Sequence, residues 1–175
     1  IPGTEITRNG RTVGHFNALF TTDNNMIYDP DPVQAVRNAK AQGAIIMQNH
    51  PGWRRTDLSM LEFEKKVYGE GLIDGIEISN GFTIYDRLID YCFKGKYTPF
   101  ATSDAHFLIS ARFPNAGKEY YRNMTLILAK DRTEKAIKEA LLKRRTIGYS
   151  ANNLVGEEIW LKEFLNEAID CKQIA

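Results

Sequence analysis

Residues 43–53, Gly43-Ala44-Ile45-Ile46-Met47-Gln48-Asn49-His50-Pro51-Gly52-Trp53, carry the chain's organisation in one short stretch. Ala44 to Met47 is a continuous apolar run of strand length. Its lack of alternation fits burial on both faces. Pro51 restricts its own φ and biases His50 towards extended backbone, which places a histidine on a stiff mount just past a strand end.

The same unit recurs outward from this stretch. Upstream, Val33, Val36 and Ala39 are spaced as a helix face, with Asp31 as N-cap, Pro32 at the first helical position and Gly43 just past the end. Downstream, the pattern predicts a helix over Ser59 to Val67, a strand at Gly75-Ile76-Glu77-Ile78, a helix over Tyr85 to Phe93 and a strand over Tyr97 to Thr102. Met124 to Ala129 reads as a further strand. Asp131-Arg132-Thr133-Glu134 reads as a capping box for a helix through Arg145. A strand near Thr146 to Tyr149 and an amphipathic helix from Glu158 to Ala168 follow. Repeated strand–helix alternation predicts one α/β domain over residues 1–175 with a mostly parallel sheet. In such folds the active groups gather at the C-terminal ends of strands.

Composition excludes several function classes. The 175 residues carry 43% hydrophobic side chains, enough for a sizeable core, and a net charge of only +1. No global field points to nucleic acid or an anionic membrane. No basic stripe with interleaved aromatics marks a polymer track. No apolar run approaches the ~18–20 residues of a membrane helix, and no signal peptide is visible. Cys92 and Cys171 lie far apart, outside any metal-spacing motif, and read as ordinary thiols that leave the compartment open. The first residue, Ile1, already stands in a strand-like segment, so an upstream segment is expected.

Chemistry concentrates at the strand ends. Asp104 and His106 sit just past the strand that closes at Thr102; in extended backbone they share a side. A carboxylate and an imidazole side by side suit a divalent cation of the zinc or manganese type. His50 occupies the equivalent place after its own strand. Glu5 lies in a strand-like segment, and the turn-forming Arg8-Asn9-Gly10 permits a return that brings His15 towards it. Taken singly, each has a structural reading: a hydrogen-bonded histidine, a solvated carboxylate, a turn-capping aspartate. Taken together, three histidines each beside a strand boundary point to a metal site.

These residues also stand in segments, Pro2-Gly3-Thr4-Glu5-Ile6-Thr7, Gly14-His15-Phe16-Asn17-Ala18, residues 44–53, Gly75-Ile76-Glu77-Ile78-Ser79-Asn80 and Ala101-Thr102-Ser103-Asp104-Ala105-His106, that in order and spacing resemble motifs of the PHP (polymerase and histidinol phosphatase) superfamily. The resemblance runs from Ile1 to His106 and, more loosely, over residues 123–170. Its first segments resemble a bacterial branch that includes a phosphodiesterase of alkyl phosphate diesters. The resemblance implies a distorted seven-stranded barrel, related to the (β/α)₈ barrel, with two or three divalent ions (zinc, manganese or iron) at its C-terminal face. It implies Glu5 as a bridging ligand and His15, His50, Asp104 and His106 as further ligands, with Glu5, His50 and Asp104 catalytic. Arg54 or Arg55 would hold a phosphate oxygen bidentately. Glu77, Asn80 and Trp53 are candidate pocket walls, with a salt bridge or turn, or a core plug for the tryptophan, as the structural alternative.

The departure from the family is large. Its opening His-x-His strand is absent, and a barrel of the (β/α)₈ type typically needs ~250 residues. The expected object is therefore a truncated barrel with exposed strand edges, whose cluster needs the upstream segment of the same domain as a partner. The expected activity is metal-dependent hydrolysis of phosphate esters by activated water, with a small phosphodiester as substrate. The alternatives are a phosphomonoesterase of the histidinol phosphate kind and a non-catalytic remnant or binding module. No membrane partner is expected, and members of the family occur in both bacterial cytoplasm and periplasm.

Overall fold

The computed structural model describes residues 1–8, 14–53, 59–117 and 121–169. A hairpin of β1 (Gly3–Arg8) and β2 (Gly14–Leu19) opens the chain, in antiparallel register from Gly3 opposite Leu19 to Arg8 opposite Gly14. Along β2 the side chains alternate: Gly14, Phe16 and Ala18 are buried, while His15, Asn17 and Leu19 are half-buried on the other face. α1 (Pro32–Ala41) begins where Asp31 accepts a hydrogen bond from the Val33 N–H, and the chain leaves it through Gly43 at φ +79°. β3 (Ile45–Asn49) pairs antiparallel to β2 and parallel to β4 (Gly75–Asn80); α2 (Glu62–Gly69) connects them.

A two-residue strand, β5 (Thr83–Ile84), folds back on β4. After α3 (Asp86–Lys94), β6 (Thr98–Thr102) lies parallel to β4, with a bulge in β4 between Glu77 and Ser79. The short α4 (Ile109–Arg112) follows. β7 (Met124–Ile127), α5 (Glu134–Leu142), β8 (Thr146–Ser150), β9 (Asn153–Gly156) and α6 (Glu158–Ala168) complete the described chain. The result is a mixed α/β fold with a six-stranded mixed sheet and a three-stranded antiparallel sheet.

The core explains the unbroken apolar run at the centre. Ile46 packs with Phe16, Val36, Ala39 and Val67 on the side of α1 and α2. Ile45 and Met47 pack with Phe20, Phe100 and Leu141 on the other side. With both faces of β3 covered, alternation has no purpose there.

The two sheets meet without a continuous ladder. Thr98 donates its N–H to Asp74 O on the β4 side, so by the strand's period of two Pro99 and Ala101 face the other edge. Pro99 has no N–H to offer there. Side chains bridge instead: Ala101 N–H donates to Thr125 Oγ1 at 2.9 Å, the Thr125 hydroxyl donates to Ala101 O at 3.0 Å, and Thr146 Oγ1 donates to Pro99 O at 3.2 Å. Ser79 and Ser150 hydroxyls meet at 2.8 Å between β4 and β8.

Several expectations are corrected. The sheet is not mostly parallel: β1, β2 and β3 run antiparallel, and parallel pairing is confined to β3–β4 and β4–β6. No ladder among the described residues closes a seven-stranded barrel. α2 starts three residues later than Ser59, because Glu64 folds back to accept the Leu61 N–H at 2.7 Å. α5 starts from Thr133, whose hydroxyl oxygen accepts the Ala136 N–H, and stops at Leu142, with Arg144 at φ +54°. The short β5, β9 and α4 have no periodic signature long enough to read. α6 spans the residues expected of it. Cys92 is buried; its thiol donates to Tyr97 O and is pushed up to about 12 by burial, which suits an inert core thiol. Cys171 lies outside the described residues. Among the described residues no helix is long and apolar enough to cross a membrane.

The β8–β9 hairpin turns on two residues, Ala151 (φ +47°) and Asn152 (φ +62°), both left-handed. Such a turn favours Asn or Gly, and alanine is strained at its first position. Ala151→Asn is expected to raise stability by ~0.5 kcal/mol and Ala151→Val to lower it by ~1–2 kcal/mol, read as opposite shifts in urea midpoint.

Candidate metal centre

Three strands deliver the site: Glu5 lies within β1, His15 near the start of β2, and His50 just past the end of β3. The diagonal of the β1–β2 hairpin sets Glu5 beside His15, and the antiparallel register of β2 with β3 sets His15 opposite Asn49. His50 follows immediately. Glu5, His15 and His50 each offer a ligand atom, and these atoms all lie within 4.8 Å of one another. The imidazole rings of His15 and His50 meet edge to face, centroids 4.7 Å apart. Trp53 packs on both, at 5.3 and 5.4 Å, and its N–H closes a turn on His50 O. Trp53 therefore walls the histidine pair and does not plug the core.

The polarity of His15 is set locally. Its Nδ1 donates to Glu5 Oε1 at 2.8 Å, which leaves Nε2 with its lone pair. That Nε2 is buried and has no hydrogen-bond partner among the described residues. A buried imidazole nitrogen without a partner is costly unless something coordinates it. Carboxylate–histidine pairing of this kind is how proteins orient a ligating ring towards a cation. The donor set of one carboxylate and two imidazoles suits zinc, manganese or iron. The residues present thus fit a divalent ion.

A cleft of about 340 Å³ opens beside this group, lined by Glu5, Asn17, Asn49, His50, Glu77 and residues 102–106. Asp104 and His106 therefore share the cleft with Glu5 and His50, but stand outside the tight three-residue group. The expectation that Asp104 and His106 extend the strand's alternation is corrected. β6 ends at Thr102, and Asp104 turns left-handed at φ +48°. His106 is then 76% exposed, its Nδ1 2.9 Å from Asp104 O and 3.8 Å from Asp104 Oδ1. His50 also departs from the extended backbone expected of it, at φ +24°. Such conformations cost on the order of 1–3 kcal/mol and persist where surrounding bonds hold them.

Glu77 supplies those bonds. It is almost fully buried at the bulged end of β4, and its carboxylate accepts from the His50 N–H, the Thr102 hydroxyl and the Asn80 amide. One side chain thereby ties the ends of β3, β4 and β6. Burial pushes its carboxyl up to about 7 against these donors. Burial also lowers the His50 imidazole, with Asp104 pulling the other way.

The sequence reading missed Asn17 and Asn49. Asn49 Nδ2 donates to Asn17 Oδ1 at 3.0 Å and to Glu5 Oε1 at 3.3 Å. Asn17 stands two residues from His15, and that strand period was the available signal. Asn123, whose amide donates to Thr102 O from 21 residues away, left no local signal. Arg54 and Arg55 lie outside the described residues.

No protein-family profile matches the chain, and no curated protein matches it. Among solved structures it is similar to a two-domain protein from Bacteroides vulgatus ATCC 8482 described as containing a predicted PHP-like metal-dependent phosphoesterase. The two share 35% identity with a TM-score of 0.89, over 99% of this chain and 51% of that one. The chain thus spans about half the length of that protein.

The Glu77 linkage has a definite sign. Its folded value lies above the ordinary carboxyl value, so its ionisation opposes folding and its protonation favours it. The penalty is absent below pH ~4.5, grows through the interval up to pH ~7 and is fully present above it, on the order of 3 kcal/mol. His50, lowered by burial, contributes the opposite slope as protonation sets in below its ordinary value. Comparing wild type with Glu77→Gln cancels the His50 contribution. The stability of the variant relative to wild type is expected to be more favourable at pH 8 than at pH 5, measured by urea unfolding of metal-free protein.

Proposed function

We propose that the chain is the later part of a PHP-type metal-dependent phosphoesterase, acting on a small phosphodiester in preference to a monoester. The carrying observation is the Glu5–His15–His50 group with the unpartnered His15 Nε2. The likeness at 35% identity to a protein described as containing a PHP-like metal-dependent phosphoesterase supports the same reading. On this reading the described sheets belong to a barrel whose remaining strands come from an upstream segment of the same domain. Support for that partner is the outer edge of β1, which pairs with no strand besides β2 among the described residues; residues 4–7 also line a cleft of about 480 Å³ with Tyr28, Asp29 and Pro30. Glu5 lies at the junction of this cleft and the metal-centre cleft, so a strand seated there would bring donors beside it.

His15 and His50 would hold one ion with Glu5, which would reach a second; Asp104 would support that second ion, and His106 would be a ligand or orient Asp104. Two or three zinc, manganese or iron ions, when bound, supply Lewis-acid stabilisation of phosphoryl charge and lower the pKa of water. The chain's own groups do the rest. The Glu5 carboxylate, 2.8 Å from His15 Nδ1, fixes the orientation of that ring. Glu77 fixes the His50 backbone. Trp53 covers the histidine pair against solvent. Arg54 or Arg55 would neutralise a non-bridging phosphate oxygen. In the reaction, water oxygen bonds to phosphorus, the ester P–O bond breaks, and the departing oxygen takes a proton.

The test compares hydrolysis of a bis-aryl and a mono-aryl phosphate by zinc- and manganese-loaded protein, with and without its natural upstream segment. Expected outcomes are faster diester cleavage, loss of activity with a chelator, and a fall of more than about 100-fold in His50→Ala and Asp104→Ala. Near-wild-type rates in both variants at full metal content would overturn the assignment. Metal-free protein inactive on both esters, even at full length, would favour the binding module.

A further inference from the structure

Glu5, Asn17 and Asn49 stand together in the wall of the metal-centre cleft. Asn17 lies directly opposite Glu5 in the β1–β2 ladder and, by the period of two, on the same face of β2 as His15. Asn49 closes β3, one residue before His50. Strand register thus fixes where the two asparagines sit, and hydrogen bonds fix which way each amide points.

The orientation is dictated from Glu5 outward. An ionised carboxylate only accepts, so Asn49 turns Nδ2 towards Glu5 Oε1, at 3.3 Å. The same nitrogen donates to Asn17 Oδ1 at 3.0 Å. Asn49 Oδ1 is left buried with no partner among the described residues, which is unfavourable. Turning that amide over would set its oxygen against the Glu5 carboxylate, so the orphaned atom marks an orientation that Glu5 imposes. Asn17, with its oxygen committed to Asn49, keeps both N–H groups of its own amide. They make no hydrogen bond among the described residues and, unlike His15 Nε2, are not enclosed. Because Asn17 is half-buried in the cleft wall, this donor opens into the cleft.

The side chains around it are committed or of the wrong polarity. The Thr102 hydroxyl donates to Glu77, the Asn49 amide serves Glu5 and Asn17, and Glu5 and Asp104 are carboxylates. We infer that Asn17 is a substrate-binding residue: its Nδ2 donates to a non-bridging phosphoryl oxygen, aimed there by the relay from Glu5 through Asn49. This rests on the phosphoesterase reading above and adds a neutral group that grips the phosphoryl oxygen beside the ions. Asparagine suits the position because one planar amide accepts from Asn49 and donates to the substrate. Aspartate would offer the same acceptor without a donor and would set like charges opposite each other across the β1–β2 pair.

The test compares wild type, Asn17→Ala and Asn17→Asp, each manganese-loaded, with the natural upstream segment present and folding checked by urea unfolding. Hydrolysis of bis-p-nitrophenyl phosphate is paired with calorimetric titration of dimethyl phosphate, which needs no turnover. At full metal content, Asn17→Ala is expected to weaken dimethyl phosphate binding and to lower kcat/KM by about 10- to 100-fold, mainly through KM. Asn17→Asp is expected to lose at least as much. The two variants separate the roles. If Asn17 acts only by holding Asn49, Asn17→Asp stays near wild type and only Asn17→Ala is impaired. If the cleft senses only an added charge, Asn17→Ala stays near wild type and only Asn17→Asp is impaired. Either pattern overturns the inference. Equal rates and equal binding in all three proteins overturn it and leave the hydrolase reading standing. Dimethyl phosphate binding that weakens in both variants supports the inference even where no ester is cleaved, in which case the hydrolase reading falls alone. Wild type that binds no dimethyl phosphate sinks the inference.

Discussion

The buried carboxylate of Glu77 is the constraint on which the candidate site depends. It takes the His50 N–H, the Thr102 hydroxyl and the Asn80 amide, and so joins the ends of three strands at one point. Burying a carboxylate is unfavourable, and three donors are what make it tolerable. The return on that arrangement is geometric. It holds His50 in a left-handed conformation that neither its own preference nor the following Pro51 favours, and anchors the strand from which Asp104 turns. The local strain and the buried charge are two aspects of one device, placed where the chain needs a histidine aimed at a cleft.

A second constraint shapes the fold around it. Pro99 removes a donor from the outward edge of β6, so the six-stranded sheet cannot pass its ladder regularly into β7 and β8. Thr125 and Thr146 hydroxyls take over the backbone groups that would otherwise be orphaned at the junction. At the far side β1 is an edge among the described residues, and the sizeable cleft it lines shares Glu5 with the metal-centre cleft. The site is thereby built at the boundary between a completed junction and an open one.

Much of this was legible residue by residue. Asp31, Pro32 and Gly43 announce α1 because each answers a local requirement of a helix end. The unbroken run before His50 announces a strand buried on both faces. Glu5 was readable as a donor in a strand, and His15 and His50 as donors beside strand boundaries, whereas Asn17, one strand period from His15, was missed. Less legible were β5, β9 and α4, whose two to four residues carry no period, and the start of α2, where a glutamate three residues in replaces a polar N-cap. The barrel suggested by the motifs has no closed ladder among the described residues, and motifs do not encode closure.

The amino-acid order by itself determined which side chains could bind a cation and which segments would be strand or helix, because donor chemistry, caps and periodicity are properties of a few neighbouring residues. Only the tertiary structure decided which donors meet. The registers of β1 with β2 and of β2 with β3 bring Glu5, His15 and His50 together, while a single left-handed residue turns His106 into solvent. Register and backbone hand are set by packing across the sheet, and distant partners such as Glu77 and Asn123 enforce them, so they leave no local mark in the chain.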